Sequence, residues 1–368
     1  MLMVHLPTNR TGVTMRFNVP FIPDREFAAF LNARAGSLHS CYFSLYSELI
    51  YDARHKYQIY QVKKLTDALA ALEVPKKYLL INSRIHAPGQ YFDRSHLRTV
   101  VKILTDLQDA GFLDGIVYAD AYFLQALSNA GGERLSRVEA VPSVNCMLDT
   151  FDKILSVLDF IRGTNFKTPG TLILDRSLNR RMGALAEVSA KCREKFPEIK
   201  LELLANEGCL FQCPFKAGHD CLISVSNMGK AVNTFEVNQE LGCMQYIAGH
   251  PSQVLKSPFI RPEDVGAYEE YVDVLKICGR TLGSAFLART IDAYLHQAYP
   301  GNLFGFLDAM GWMAAHKCIS NEKLPPGFLQ QLSTCSKDCT SCLYCEQIME
   351  RFCDKVERPV PNGLPKPS

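Results

Sequence analysis

The chain has 368 residues, 47% hydrophobic and 21% charged, with a formal net charge of +2. This is ordinary globular composition, and the near-neutral balance excludes a broad basic field for nucleic acid, though not a local basic patch. No apolar run approaches the ~20 residues of a membrane span, and the N-terminal MLMVHLPTNRTGVTMRF lacks the apolar stretch of a signal peptide. Fourteen cysteines in a chain without an export signal then predict a cytoplasmic, reducing setting, where clustered thiols bind metal or react more often than they pair.

Taken in chain order, short apolar and β-branched runs alternate with amphipathic stretches. The runs are MRFNVPF from Met15, LHSCYFSL from Leu38, KYLLINS from Lys77, GIVYAD from Gly115, RVEAVPSVN from Arg137, TLILD from Thr171, KLELLAN from Lys200 and VDVLKICG from Val272. Between them, stretches such as REFAAFLNARAG, HLRTVVKILTDLQDAG and FDKILSVLDFIRG read as helices, the last two stopped by glycine. Eight strand–helix units in about 280 residues predict a parallel (β/α)8 TIM-type barrel in the α/β class. An open doubly wound sheet is the alternative, and no G-x-G-x-x-G follows the first strand to support a dinucleotide fold.

The connection after the seventh run, from Cys209 to about Glu270, is too long for one crossover helix and rich in Gly, Cys, Asn and His. In a barrel such an insertion lies at the C-terminal face, where active sites are built. The expected organisation is a barrel over 12–290 with an insertion over 206–270, then a helical and Cys-rich extension over 291–357. The last segment, RPVPNGLPKPS over 358–368, holds four prolines and reads as a disordered tail.

Two cysteine constellations carry chemistry. The first, NEGCLFQCPFKAGHDC, places Cys209, Cys213 and Cys221 at C-x3-C-x7-C, with Cys243 further on. Thiolates select iron–sulfur clusters or zinc, and Pro214 after Cys213 echoes the Cys-Pro of cluster-binding runs. The C-x2-C zinc knuckle is absent, a radical-SAM spacing would need a cysteine where Lys216 stands, and buried structural cysteines are the plain alternative. His219 within this loop could ligate, move protons or bind substrate, or simply hydrogen-bond within the loop. Asp220 reads as a cap or turn residue. The second constellation, CSKDCTSCLYC, places Cys335, Cys339, Cys342 and Cys345 at C-x3-C-x2-C-x2-C, with Cys353 as a substitute. That spacing suits a 4Fe–4S cluster or zinc, with an exposed redox-sensing patch as the alternative. Finally, Lys276 and Arg280 in VDVLKICGRT fall at the end of the last strand, where cations suit a carboxylate; a surface ion pair is the alternative. No Ser-His-Asp, H-E-x-x-H or Cys-His signature of a peptidase is visible.

These residues resemble the collagenase-like peptidase U32 family. EGCLFQCPFKAGHDCLIS is similar to its cysteine motif, SPFIRPEDVGAYEEYVDVLKICGRT to its Ser-Pro segment and following Lys-Ile-Glu-Gly-Arg strand, and LILDRSLN to its Ser-Arg-Glu-Leu strand end, with Arg176 on the arginine. SVNCMLDTFDKI is similar to an Asn-containing strand of its ubiquinone-pathway members. The matches run from about residue 114 to 285. Cys278 and Ser177 stand where the family has glutamates. The resemblance implies a barrel with one 4Fe–4S cluster, on Cys209, Cys213, Cys221 and Cys243, with Cys41 a further candidate. It implies oxygen-independent hydroxylation of a small-molecule carboxylate or aromatic substrate, or of a tethered one, with a prephenate-like oxygen donor. Arg176, Lys276 and Arg280 would bind carboxylate, and His219 would move a proton. Alternatives are a non-catalytic iron–sulfur subunit supporting a protein partner of the same family, and a peptidase; RNA is a less favoured substrate.

Overall fold

The computed structural model describes residues 14–45, 49–54, 62–230 and 233–356. The first two residues of the expected barrel, residue 357 and the 358–368 tail lie outside them. Eight parallel strands appear where the sequence places them: β1 (Arg16–Pro20), β2 (Leu38–Phe43), β3 (Lys77–Ile81), β4 (Gly115–Tyr118), β5 (Glu139–Pro142), β6 (Thr171–Ile173), β7 (Lys200–Leu204) and β8 (Val274–Lys276). The hydrogen-bonded order is β5-β4-β3-β2-β1-β8-β7-β6. The remaining seam, β5 to β6, is bridged through Lys167, whose N–H donates to the Val138 carbonyl and whose carbonyl accepts from Ala140. The sheet therefore forms a nearly closed barrel of the (β/α)8 type.

The strands read as continuous apolar runs because both faces are buried. Tyr42, Tyr78, Leu80, Val117, Val141, Ile173, Leu204 and Cys278 fill the barrel interior as one cluster. The alternate residues, such as Val19, Leu79, Ile116, Leu203 and Leu275, join the larger core beneath the helices. Those helices are α1 (Arg25–Asn32), α2 (Val62–Ala70), α3 (Arg94–Asp109), α4 (Ala121–Gly131), α5 (Phe151–Arg162) and α6 (Met182–Lys195). Their starts are set chemically: the Asp24, Asp93 and Asp120 side chains accept from first-turn N–H groups of α1, α3 and α4. Of the two glycine stops, Gly111 has φ +75° and sits in a Schellman turn, with the Phe112 N–H donating to the Leu107 carbonyl. Gly163, in contrast, stays right-handed at φ −77°, so α5 ends without needing glycine's freedom.

After β7 the insertion folds as α7 (Lys216–Asn227), α8 (Thr234–Glu240) and α9 (Cys243–Gly249), followed by 3-10 turns. Then come α10 (Ser284–Leu295), α11 (Leu303–Phe306), α12 (Gly311–Ala314), β9 (Lys317–Ile319), α13 (Phe328–Thr334), α14 (Tyr344–Phe352) and β10 (Cys353–Lys355), which pairs antiparallel with β9. The extension touches the barrel's C-terminal end directly: the Asp308 N–H donates to the Asn206 carbonyl and the Gly208 N–H to the Asp308 carbonyl. Gly208 is required there, because a Cβ would lie 2.3 Å from Met310 Cγ.

Candidate functional site

The C-terminal end of the barrel carries a set of buried and half-buried ion pairs. Arg176, just past β6, pairs through Nη1 with Glu207 past β7. Arg280, past β8, pairs with Asp52 at 2.6 Å, and Arg54 pairs with Asp308 of the extension at 2.7 Å. Lys216, at the start of α7, pairs with Asp220 one turn on and donates to Asn145 Oδ1 at 2.8 Å. Arg84, past β3, donates to the Asn145 carbonyl. The Asn206 amide, between β7 and Glu207, ties the Cys278 backbone at both its N–H and its carbonyl. Helix α7 lies over this end: Ser224 Oγ bonds Ser83 Oγ and the Arg84 N–H, both at 3.0 Å, and Asn227 donates to the Asp52 and Arg54 carbonyls.

The three sequence-predicted cations are thus not an open positive rim. Burial is the largest single influence and would lower the Arg176 pKa, but Glu207, Cys209, Asp175 and Asp220 together outweigh it and the net direction is upward. Lys276 is deeper still, at the last residue of β8. Its Nζ lies 3.6 Å from Glu202 Oε1 and 3.9 Å from the Tyr42 ring centre, inside the barrel. Asn18 donates to both Glu202 oxygens, at 3.1 and 2.9 Å. Burial raises the Glu202 carboxyl and lowers the Lys276 ammonium, each toward its neutral form.

The thiols border this network, and all fourteen cysteines are free. Cys209 Sγ lies 3.5 Å from Glu207 Oε1. Its pKa is pushed well above the usual thiol range by burial and then by Glu207, against the opposing Arg176 and Lys216. Cys213 is raised mainly by burial, and Cys243, the first residue of α9, by burial and then by the nearby Cys213. Cys209, Cys213 and Cys243 therefore share one electrostatic neighbourhood. Cys221 and His219 lie in α7, both half-buried. Cys41 is fully buried in β2, within the core beneath the helices. As a donor set, soft thiols beside cations fit a thiophilic metal centre in chemistry. Among the described residues, however, no three His, Cys, Asp or Glu side chains converge as metal donors.

The second constellation packs against the first. Cys335 lines a pocket together with Phe211 and Gln212, which lie between Cys209 and Cys213. Lys256, ending the 3-10 turn after α9, donates to Cys339 Sγ at 3.4 Å. Cys345 is pushed up to about 12 by burial and then by Cys339. Cys342 is half-buried, and Cys353 begins β10.

Sequence reasoning missed Asp52, Arg54, Glu207 and Asp308, and gave Asp220 only a capping role. Glu207 could have been suspected, since it precedes Cys209. Arg54 and Asp308 carried no local signal, being 254 residues apart. A buried pair after β3 and β4 was missed as well: His86 Nδ1 lies 3.0 Å from Asp120 Oδ2, which also accepts from the Tyr91 hydroxyl at 2.6 Å.

No protein-family model matches the chain. Over 251 residues it is 29% identical to "Uncharacterized protease MJ1657" of Methanocaldococcus jannaschii, a match covering 68% of this chain and 69% of that protein. Among solved structures it is similar to the U32 peptidase Mk0906, with TM-score 0.48 and 15% identity, covering 75% of this chain and 97% of that one. An F420-dependent secondary alcohol dehydrogenase gives TM-score 0.38 at 10% identity, covering 72% and 93%.

Proposed function

We infer, from the assignment to the collagenase-like U32 family that the archaeal relative supports, that the chain is an oxygen-independent iron–sulfur enzyme working at the C-terminal end of its barrel. The observation that carries the reading is the shared neighbourhood of Cys209, Cys213 and Cys243 beside the buried Arg176–Glu207 pair. Those three thiols, with Cys221 as the fourth, would hold a 4Fe–4S cluster. Bound there, the cluster supplies one-electron chemistry. Arg176 and Lys216 place positive charge beside Cys209, which partly offsets the burial and the Glu207 charge that hold its thiol neutral. Helix α7 covers the end of the barrel and limits water. His219, on that helix, is the candidate to move a proton. The substrate class is a small aromatic or carboxylate molecule, and hydroxylation, with a prephenate-like oxygen donor, is the reaction.

Anaerobically purified protein is expected to be brown, with iron and sulfide in equal amounts. A Cys209→Ala, Cys213→Ala variant is expected to lose that colour while keeping its circular dichroism. A colourless wild type that instead holds stoichiometric zinc after anaerobic reconstitution would rule the reading out. A colour that survives only while a same-family partner co-purifies would favour the rival role of a supporting subunit.

The relative's printed name raises peptidase chemistry as a second reading. The His86–Asp120 pair is the arrangement closest to a hydrolytic dyad. Its His86 side chain is 0% exposed, and Nε2 has no hydrogen-bond partner, hydroxyl or thiol. Stacked on Phe123 at 3.8 Å, the pair reads as a staple between two loops.

A further inference from the structure

The two cysteine segments share one open pocket of about 380 Å³. Phe211 and Gln212, from the loop between Cys209 and Cys213, form one wall, and Cys335 itself lies in the other. Three cations, Arg180, Arg181 and Lys337, line it as well, and among the described residues no carboxylate does. Two of the five described non-glycine residues with positive φ are here, Gln212 at +50° and Lys337 at +66°. That conformation is unfavourable for a residue with a side chain, and such residues gather at functional sites.

At the barrel mouth Arg176, Arg280, Arg54 and Lys216 each have a carboxylate of their own. The pocket cations are held differently. Lys337 Nζ donates to the Arg180 and Cys335 carbonyls, at 3.3 and 3.0 Å, which fixes the ammonium without neutralising it. Arg181 is exposed. Arg180 is buried against Phe259, beyond the reach of anything in the pocket, yet its charge still adds to the potential over the face. Asp338, next to Lys337, accepts from its own Thr340, at the N–H and the hydroxyl. The face is therefore positive on a chain whose net charge is only +2. Electron transfer falls off steeply with distance, so a carrier must dock where a thiol loop reaches the surface, and Gln212 is exposed here. Helix α7, in contrast, covers the end of the barrel.

We propose that this face docks an acidic one-electron carrier protein, which hands single electrons to the barrel centre across the Phe211–Gln212 loop. The inference rests on the cluster reading above. In each encounter the carrier loses one electron and the thiol-bound centre gains it; no bond forms or breaks. A nucleic acid is the other polyanion a positive face attracts, but three cations offer it few phosphate contacts, and the thiols in the wall give it no task.

The test is anaerobic titration of the reconstituted full chain with an acidic clostridial-type ferredoxin as probe, at low and high salt. Wild type is expected to bind at low salt and to lose roughly tenfold or more of that affinity at high salt. The double variant Arg181→Glu, Ser336→Asp, at two exposed positions, is expected to bind roughly tenfold more weakly and to accept electrons from the reduced ferredoxin correspondingly more slowly. Photoreduction by a neutral deazaflavin, which needs no docking face, should run alike in both. Lys102→Glu, exposed on α3, is the control and should change neither binding nor reduction. Four results would overturn the proposal: no ferredoxin binding by wild type at low salt, binding unchanged in the double variant, an equal loss in Lys102→Glu, or a single-stranded RNA that binds this face while ferredoxin does not. A colourless wild type would sink the cluster reading instead, and ferredoxin binding by that colourless chain would still decide the docking face.

Discussion

Glu207 links the cations of the barrel mouth to the first thiol of the cysteine loop. It pairs with Arg176, lies 3.5 Å from the Cys209 thiol and contributes to the field on Arg54. Both members of the Arg176–Glu207 pair are buried, so the pair gives up hydration on both sides and recovers it through mutual attraction. Removing one charge does not merely delete a bond; it strands the other. Glu207→Gln is therefore expected to lower stability by about 3 kcal/mol, read from denaturant unfolding. The double variant Arg176→Met, Glu207→Leu is expected to recover most of that loss, because an apolar pair of similar volume strands nothing. If Glu207→Gln unfolds like wild type, the pair is not the electrostatic anchor described here. The same reasoning limits Arg280 and Lys276 as carboxylate binders: an incoming carboxylate must compete with Asp52 or Glu202, which are already in place.

Among the elements, the strands and the insertion were legible in the sequence and the joints between them were not. Strands buried on both faces leave continuous apolar runs, and a helix capped by Asp24, Asp93 or Asp120 announces its start, so local signals sufficed. The pairing of Arg54 with Asp308 depends on the extension returning to β7 through Asn206 and Gly208, which no periodicity encodes. The two cysteine segments read as independent motifs for the same reason; their adjacency follows from how α14 and the turn over Pro251–Lys256 pack, with Ser252 donating to Glu346 at 3.0 Å. That contact shapes the test of a second metal centre on Cys335, Cys339, Cys342 and Cys345. Deleting the segment would uncover Ile348 and Met349, which are buried. Replacing the four cysteines by serine keeps the packing and removes the soft ligands. Metal content per chain is expected to fall by one centre with thermal unfolding still cooperative; unchanged metal content would mean these thiols are not ligands.

For the whole molecule, the question is what closes the barrel. Seven strand pairs are joined by hydrogen-bonded ladders, whereas among the described residues β5 and β6 are bridged through Lys167. Glu139, the first residue of β5, points into the barrel beside that seam, and its carboxylate gathers donors from the surroundings of two strands, β3 and β6. These are Lys76 Nζ at 2.9 Å, Tyr78 hydroxyl at 3.0 Å, the Gly170 N–H at 3.1 Å and Lys167 Nζ at 3.5 Å. Gly115 makes the room: a Cβ there would lie 2.5 Å from the Glu139 carbonyl oxygen. Burial alone would raise the Glu139 pKa, but the donation from Lys76 and the Gly170 N–H reverses it, and the net direction is downward. A carboxyl depressed in the folded state stabilises above its unfolded pKa, near 4.5, and that contribution is lost as pH falls through the lower folded value. Glu139→Gln is thus expected to destabilise at pH 7 by about 2–3 kcal/mol, the range for hydrogen bonds to a buried charge, and the gap to wild type should narrow as pH drops below the unfolded value. Hydrogen exchange should locate the effect: amides of Val138–Val141 and Lys167–Ile173 should exchange faster in the variant, while the β1–β2 and β7–β8 ladders keep their protection. Uniformly faster exchange across all eight strands would mean that Glu139 supports the fold at large and is not the clasp at its seam.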